Sequence, residues 1–400
     1  MAFFLNRKGE EEKTLGIYVH IPFCKSRCEY CSFYSNGGQK DPRMVDYYMQ
    51  ALADHMRETG KGIKDHVVDT VYFGGGTPSY FGAENLDSIL DEIHRSFRLS
   101  LNPEITLEAN PDSLDEKSLK RLLRAGFNRI SIGVQSDKNE ILKKLGRVHT
   151  FEQAKKAMEL ARKVGFANIS LDLMYGLPDQ NLDIWMESVE SIVSMRPEHI
   201  SCYCLTIGED SPMYAYRDSL RIADEDHQLR MYLEGSRYLR EHGYEHYEIS
   251  NFAKKGMESK HNLKYWQGGE YIGFGPSAAS DFGGKRFKIL DDTRGYVEGI
   301  SKQGRILSEC ESVSPRERSG EYLMLRARLR SGISPKEYEK KYLQSFEPMG
   351  KFLERCAQSG YAEFEDGVWR LTERGWFISN PIILQLLEEQ AKARPLTGKI

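Results

Sequence analysis

Short apolar runs alternate with helical patterns through the first half of the chain. Six runs rich in β-branched residues predict strands at Gly16–Pro22, Thr70–Gly75, Glu104–Asn110, Arg129–Ser136, Asn168–Tyr175 and His199–Ile207. Such runs are typical of buried parallel strands. Strands that alternate with helices indicate repeated βα units. Six units predict an α/β fold, an open or partial barrel of the TIM type rather than a closed eight-stranded one.

Several of the intervening helices have recognisable ends. Ser113-Leu-Asp-Glu116 predicts a capping box, and Gly126 is the expected stop of that helix. Thr150-Phe-Glu-Gln153 predicts a second capping box, and Gly165 ends the helix that it opens. Later helices are expected at Asn181–Met195 and Ala223–His242.

The pattern changes after about residue 300. Helical segments near Ser334–Phe346 and Met349–Ser359 precede two short strands, Tyr361–Phe364 and Val368–Leu371. The turn between the strands, Glu365-Asp-Gly367, predicts a hairpin. Helices followed by a hairpin resemble a winged helix, which suggests DNA binding. Acidic residues interleave with the basic ones in this segment, and this charge balance argues against that interpretation.

Three polar loops are expected to meet at one edge of the barrel. Active sites of α/β sheets lie at the carboxyl ends of the parallel strands. The loop that contains Cys24 follows the first predicted strand, Gly74-Gly-Gly-Thr-Pro78 follows the second, and Asn110-Pro-Asp follows the third. The glycines allow the backbone to approach a ligand closely, although a tight turn would use them equally well.

Composition narrows the class of protein. The 400 residues are 40% hydrophobic with a net charge of −3, which excludes chain-wide disorder and a general basic field for nucleic acid. No apolar run reaches the roughly 18 residues of a membrane span. The first residues, Met1-Ala-Phe-Phe-Leu followed by Asn6-Arg7-Lys8, have the wrong order for a signal peptide. We therefore expect a cytoplasmic protein without a transmembrane segment.

Three of the seven cysteines, Cys24, Cys28 and Cys31, lie within eight residues. This density favours metal binding over disulfides. A zinc site would need a fourth ligand, and His20 is near in sequence. Three thiolates without an obvious fourth protein ligand suit a [4Fe–4S] cluster that has one open iron. The cluster is the favoured interpretation, and zinc remains open.

Polar residues occur in or after the apolar runs. Glu108 and Gln135 lie near the ends of consecutive strands, and Asp172 lies within the next one. Together they favour a polar ligand inside the barrel, although each alone would suit a structural role. Arg147 could pair with a carboxylate. The segment His261–Trp266 suits either a flat macrocycle with an imidazole iron ligand or a half-buried aromatic patch.

These motifs resemble those of radical S-adenosylmethionine (SAM) proteins of the oxygen-independent coproporphyrinogen oxidase type. The resemblance rests on Tyr18-Val-His-Ile-Pro-Phe-Cys24-x3-Cys28-x2-Cys31, Gly74–Pro78, Gly133-Val-Gln135, Asp172–Pro178 and Tyr247–Asn251, and it covers about residues 15 to 380. Two features resemble the haem-chaperone branch rather than the oxidase: Phe33 replaces a further cysteine, and His261-Asn-x-x-Tyr-Trp266 is present. One departure is Ser277-Ala-Ala279, where the family often has Gly-Ala-His.

The resemblance implies a role for each matching residue. Cys24, Cys28 and Cys31 would hold the cluster, and His261 would be a haem ligand. The residues implied to surround SAM are Tyr18, Tyr30, Gly75, Gly76, Thr77, Glu108, Gln135, Arg147 and Asp172. No catalytic residue is assigned.

The resemblance also implies domains and partners. Residues 1–14 would be a tail, 15–250 the radical SAM partial barrel, 251–300 a connecting segment, and 301–395 a small helical accessory domain. The expected ligands are the cluster, SAM and haem, and the expected partner is a haem acceptor, which could be membrane-associated. Decarboxylation of coproporphyrinogen is the alternative activity, and a DNA-binding metal sensor is a third hypothesis.

Overall fold

A computed structural model describes residues 12–396. Its central feature is one sheet of twelve strands. The strands are β1 Lys13–Ile21, β2 Phe23–Cys24, β3 Asn36–Gly37, β4 His66–Gly75, β5 Leu99–Ala109, β6 Arg129–Gln135, β7 Asn168–Tyr175, β8 His199–Cys204, β9 Glu245–Glu248, β10 Asn251–Ala253, β11 Tyr271–Phe274, β12 Ala279–Phe282, β13 Lys285–Ile289, β14 Leu307–Ser312, β15 Ala362–Glu365 and β16 Val368–Leu371. The predicted tail falls partly on residues 1–11, which lie outside the described residues, and Lys13 already belongs to β1.

Helices follow most of the parallel strands. They are α1 Pro42–Gly62, α2 Pro78–Phe81, α3 Ala83–Ser96, α4 Glu116–Ala125, α5 Asn139–Lys144, α6 Phe151–Val164, α7 Leu182–Ser194, α8 Glu225–Glu241, α9 Lys260–Trp266, α10 Thr293–Ser301, α11 Pro315–Arg326, α12 Pro335–Tyr342, α13 Glu347–Gln358, α14 Glu373–Phe377 and α15 Ser379–Ala391. Within residues 12–396, no helix is both long and apolar enough to cross a membrane.

The predicted open barrel is confirmed, and the sheet extends beyond it. The six predicted strands pair in parallel in the order β1, β4, β5, β6, β7 and β8. The segment that begins with β9 lengthens both edges. β11 adds a further parallel strand beside β1 and continues into an antiparallel run to β14, while β10 and β9 pair antiparallel beyond β8.

The parallel strands have an apolar outer face and a polar inner face. The outward residues of β1, Leu15, Ile17 and Val19, are fully buried against the helices. The inward positions carry polar, aromatic or glycine residues: Gly16, Tyr18 and His20 on β1, Thr70, Tyr72 and Gly74 on β4, Glu104, Thr106 and Glu108 on β5, and Arg129, Ser131 and Gly133 on β6. A polar interior is costly unless its groups are paired or meet a ligand.

The helix ends follow the sequence pattern with one correction. Thr150 and Gln153 form the predicted capping box of α6. Gly126 and Gly165 end their helices in the left-handed conformation. The capping box predicted from Ser113 is wrong, because Asp115 caps α4 instead and Ser113 belongs to the 3₁₀ helix Pro111–Ser113. Serine and aspartate side chains can both cap a helix, and the prediction chose Ser113, which comes first in the chain, instead of Asp115.

The C-terminal segment consists of α11 to α15 and the hairpin of β15 and β16. The predicted hairpin is confirmed, and Asp366 and Gly367 both have positive φ in its turn, as a type I′ turn requires. The Trp376 indole donates to the carbonyl of Ala327 at the end of α11, within this segment, and its ring packs against His246 of β9, which attaches the segment to the barrel.

Candidate metal and cofactor site

The cysteine loop lies at the carboxyl end of β1. Cys24 is buried and ends the two-residue strand β2, while Cys28 and Cys31 are half-buried on the loop that follows. Burial raises the pKa of Cys24 and of Cys31. Within residues 12–396, no three His, Cys, Asp or Glu side chains are gathered closely enough to hold one metal ion. A mononuclear site is therefore not preformed in this part of the chain.

The glycine loop after β4 holds the cysteine loop by its backbone. Gly76 donates its amide hydrogen to the carbonyl of Ile21, and Thr77 donates to that of Phe23. A Cβ on Gly76 would lie 3.0 Å from the Cys24 Sγ and 2.9 Å from two carbonyl oxygens, so only glycine fits there. The Thr77 hydroxyl lies 3.4 Å from the same sulfur. The two loops therefore form one unit around Cys24.

Arg147 approaches the cysteine loop from the other side. Its Nη2 donates to the Asn110 side chain and to the Gly133 carbonyl, both at 2.7 Å, and its Nη1 lies 3.6 Å from the Cys28 Sγ. Its Nε is buried and has no partner among the described residues. The fixed positive charge of Arg147 beside the Cys28 sulfur favours the thiolate form of that cysteine. A cluster bound by thiolates requires this form.

Two half-buried carboxyl groups face the inside of the barrel. Glu108 accepts from the Tyr72 hydroxyl at 2.7 Å and from the Gly75 amide at 3.3 Å. Burial, with a smaller repulsion from Asp172, raises the pKa of Glu108 to about 7. Asp172 accepts from the Ser131 hydroxyl at 3.0 Å, and burial also raises its pKa. The hydrogen bonds to both carboxyl groups come from neutral donors, and the nearby Arg129 guanidinium lowers both pKa values by less than burial raises them.

The other residues that the resemblance assigned to SAM lie around the same rim. Gln135 has a φ of 73°, an uncommon backbone conformation for a residue with a side chain, at a register shift at the end of β6. The Tyr18 hydroxyl donates to His20, and the Tyr18 ring packs beside Tyr72. Tyr30 is buried close to Arg147, and burial raises its pKa. The structure thus brings the three cysteines and the nine predicted SAM residues to one end of the barrel.

His20 is not free to act as a fourth ligand. Its Nε2 donates to the Tyr34 carbonyl at 2.9 Å, which leaves Nδ1 to accept from Tyr18. Burial lowers the pKa of His20 to about 4. A Cβ on Gly75, whose φ is 109°, would lie 2.7 Å from the imidazole, so His20 packs under the glycine loop. Its contacts indicate a positioning role.

His261 lies away from this rim. The sheet register places Gly16, Thr70 and Glu104 in one layer, and His20, Gly74 and Glu108 four residues further along, about 13 Å higher. His261 belongs to the lower layer: its main-chain N–H donates to Glu104 and its Nδ1 is hydrogen-bonded to Thr70. The structure therefore does not bring His261 to the cysteine loop.

The His261 ring is sealed inside the barrel. It is 0% exposed, its Nε2 lies 2.7 Å from the Tyr265 hydroxyl, and it stacks on Tyr72. Burial, and then the nearby Lys264, lower the pKa of His261 to about 3. Coordination of a metal by either nitrogen would require one of these hydrogen bonds to open.

Sequence reasoning missed Tyr72 and Arg129, and it placed Asn110 on a loop at this rim without giving its side chain a role. Tyr72 holds Glu108, and Asn110 donates to Thr77 while it accepts from Arg147. Arg129 is 2% exposed on the inner face of β6, and its Nε has no partner among the described residues. The signal that could have found Tyr72 and Arg129 is the two-residue alternation, which places them in phase with Glu108 and Gly133.

The residues present fit a cluster and SAM. The rim offers three soft thiol ligands, a close backbone approach at Gly76 and an unpartnered N–H on Arg147. Half-buried oxygen acceptors on Glu108 and Asp172 lie further into the barrel.

Comparisons with known proteins agree with this geometry. The sequence model of the Radical SAM superfamily matches residues 18–192, and that of the HemN C-terminal domain matches residues 313–378. The Heme chaperone HemW of Bacillus subtilis is 36% identical over 93% of this chain and 99% of its own. The Heme chaperone HemW of Escherichia coli is 33% identical over 94% and 98%.

A solved structure shows the same fold. The coproporphyrinogen III oxidase HemN of Escherichia coli superposes with a TM-score of 0.81, covering 95% of this chain and 90% of that one. The two sequences are 20% identical, so this likeness concerns the fold alone.

Proposed function

The chain belongs to the HemW heme chaperone family of radical SAM proteins, and from that premise we propose that it binds haem and a SAM-liganded [4Fe–4S] cluster and passes the haem to an acceptor protein. One observation carries the cluster part of the proposal. Cys24, Cys28 and Cys31 lie on one loop that the glycine loop and Arg147 hold from two sides. Membership of the radical SAM superfamily implies both the cluster and SAM.

The chain's own residues would hold and shield these groups. The three thiolates would bind three irons, and Arg147 would balance their negative charge. Glu108 and Asp172 would accept hydrogen bonds from hydroxyl or amino groups of SAM, with Gln135, Tyr18 and Tyr30 around them. When bound, a reduced cluster next to SAM supplies one-electron chemistry. The buried inner face would exclude water from it.

Phe33 supports a chaperone rather than an oxidase. In the resemblance that the motifs carry, the oxidase has a further cysteine at this position. Phe33 is 69% exposed, so its ring is not part of the hydrophobic core. This position therefore has no thiol. An anaerobic assay with coproporphyrinogen, SAM and a reductant separates the two activities. Product at catalytic turnover would overturn the chaperone proposal.

Haem binding by the HNxxYW motif is the second part of the proposal. His261 would reach haem only after its bond to Tyr265 or Thr70 has opened, since both ring nitrogens are engaged. We therefore propose that His261 contributes to haem binding through a rearrangement of α9. Tyr265→Phe removes one of those bonds, keeps the ring, and should ease the rearrangement.

Titration of the reconstituted protein with haem tests this proposal. The wild type should bind haem and transfer it to an apo-haem protein. His261→Ala should bind more weakly, while the exposed neighbour Lys260→Ala should bind like the wild type. If the wild type binds no haem, the chaperone function fails. If His261→Ala binds as the wild type does, only the role of His261 fails.

A further inference from the structure

A groove on the outer surface of the barrel lies between α1 and α10. It encloses about 540 Å³, within the range of about 300–1,000 Å³ that small-molecule sites span. The residues of α1 that line it are Met44, Tyr47, Gln50, Ala51 and Asp54, which follow one helix face over ten residues, or about 15 Å. Arg294 and Val297 of α10 face them. The groove is thus long enough for a flat molecule of macrocycle size.

Most of the surface of the groove is apolar, and the rest comes from Gln50, Asp54, Arg294, Glu298 and Ser301. Ala51, Val297 and Ile300 provide the aliphatic surface. Tyr47 is 56% exposed, which is unusual for a large aromatic side chain that serves no core contact. Met44 offers a thioether sulfur. Methionine sulfur and tyrosine oxygen are both known axial ligands of haem iron.

The charges around the groove favour an anionic ligand. The two acidic residues that line it are already paired, Asp54 with Arg57 at 2.7 Å and Glu298 with Lys302 at 3.0 Å. Arg294 is exposed and forms no ion pair within residues 12–396. A free guanidinium at the rim of an apolar groove matches an apolar ring that carries carboxylates.

Both helices of the groove are hydrogen-bonded to the segment that carries the cysteines. On α10, the amide of Thr293 donates to the Tyr34 hydroxyl at 2.8 Å, and the Thr293 hydroxyl accepts from Asn36 at 2.9 Å. On α1, the Tyr48 hydroxyl donates to the His20 carbonyl at 2.6 Å. A ligand that moved α1 against α10 would therefore act on the residues on both sides of the cysteine loop.

We propose that the groove between α1 and α10 is a haem-docking site, in which Arg294 pairs with a propionate and Met44 or Tyr47 faces the iron. The inference rests on the proposed chaperone function and deepens it. It names a site that haem can reach from solvent, whereas His261 is enclosed in the barrel. Haem docked there would be half-exposed, as a cargo that must leave again requires.

Titration with two porphyrins tests the site on the full chain. The probes are haem and haem dimethyl ester, which has no free carboxylate. Arg294→Gln should weaken haem binding about fivefold and leave the ester unchanged. Arg95→Gln, an exposed arginine on α3, is the matched control and should change neither. Equal loss for both probes, or no loss for haem, would overturn the role of Arg294.

Three further variants test the groove itself. Gln50→Trp places a large ring in the groove from an exposed position and should weaken binding of both probes by more than about tenfold. Met44→Leu and Tyr47→Phe keep the volume, and one of them should change the Soret absorption of bound haem. Gln50 and Tyr47 are exposed and Met44 is half-buried, so these variants should fold and their binding decides the question.

The outcomes separate the two proposals. A wild type that binds haem, with all groove variants equal to it in affinity and spectrum, would refute the groove and leave the chaperone function standing. A wild type that binds no haem would refute both. Loss of binding in the groove variants, with His261→Ala unchanged, would place docking at the groove.

Discussion

The two ends of the barrel use the same kinds of residue for different purposes. At the carboxyl end, Cys28 and Cys31 are half-exposed and Arg147 keeps an N–H without a partner. At the amino end, the imidazole of His261 is fully buried, and both of its nitrogens are hydrogen-bonded. From the sequence alone, both ends contain metal-binding residue types next to aromatic rings. At the carboxyl end, thiols and an arginine N–H are left over, whereas neither ring nitrogen of His261 is.

The two ends differ in how many polar groups and thiols the protein leaves without a bonding partner. A site that binds a ligand must keep donors, acceptors or thiols that the protein does not satisfy by itself, whereas a structural network satisfies all of them. Tyr72 connects the two ends, because its hydroxyl donates to Glu108 while its ring stacks on His261. We therefore expect changes at the carboxyl end to affect cluster and SAM binding, and changes at the amino end to affect stability in addition to the haem binding proposed for His261.

The largest effect is expected at the cysteine loop. Cys28→Ser should reduce the iron bound after anaerobic reconstitution to background, because one of three thiolate ligands is lost. Cys28 is half-buried, so the variant should fold. The control is Cys310→Ser on β14, an exposed cysteine remote from the loop in sequence. Iron analysis of both variants checks the prediction, and full iron content in Cys28→Ser would contradict it.

The amino end should respond in stability instead. His261→Ala leaves the Thr70 and Tyr265 hydroxyls without their partner and opens a cavity, which should lower the free energy of unfolding by about 3–4 kcal/mol. Urea unfolding of the metal-free protein measures it, with the exposed Lys260→Ala as control. A loss below about 1 kcal/mol would show that this network is not structural.

The half-buried carboxyl group at the rim should give a pH-dependent stability. Burial raises the pKa of Glu108 to about 7 from its ordinary value of 4.5, so the folded chain holds a proton that the unfolded chain has lost between these values. The preference of the folded chain for the protonated Glu108 stabilises it fully below about pH 4.5. This stabilisation is lost as the pH rises to 7. Glu108→Gln should remove this dependence and stabilise the metal-free protein at pH 8 by about 2–3 kcal/mol.

Parallel unfolding curves at pH 5 and pH 8 check this prediction. Asp115→Asn is a suitable comparison, because its carboxyl group is exposed and its pKa is lowered by the amide of Ser118. Equal pH dependence in the wild type and in Glu108→Gln would show that Glu108 is not buried in its protonated form.

The smallest effect tests the link between the two ends. Tyr72→Phe keeps the ring that stacks on His261 but removes the hydroxyl that stabilises the Glu108 carboxylate. The pKa of Glu108 should rise further, by up to about one unit. The midpoint of the pH dependence of SAM binding should move upward by the same amount. An unchanged midpoint would show that the link has no energetic consequence.

Much of the fold could be predicted because it follows local periodicity. β7 begins and ends where the apolar run does, and the glycine stops at Gly126 and Gly165 are local backbone signals. The cap of α4 was assigned to Ser113 rather than Asp115 because both side chains can accept the same bond. The edge strands β11 to β14 were not predicted, since their pairing partners are distant in sequence.

Residues of the candidate site could be predicted where they belong to a short sequence motif. They could not be predicted where the pairing of distant strands brings them together. The cysteine spacing is visible within eight residues. The burial of His261 follows from contacts with Thr70 and Glu104, more than 150 residues earlier in the chain. Tyr72 and Asn110 were missed for the same reason, because their partners Glu108 and Arg147 are set by strand register and loop packing.

Spectroscopy of the anaerobically reconstituted chain, with and without SAM, tests the central claim most directly. We predict about four irons and four sulfides per chain and an electron paramagnetic resonance signal of the reduced cluster that changes when SAM is added. Zinc in the cysteine loop, or a cluster signal that SAM leaves unchanged, would contradict the account.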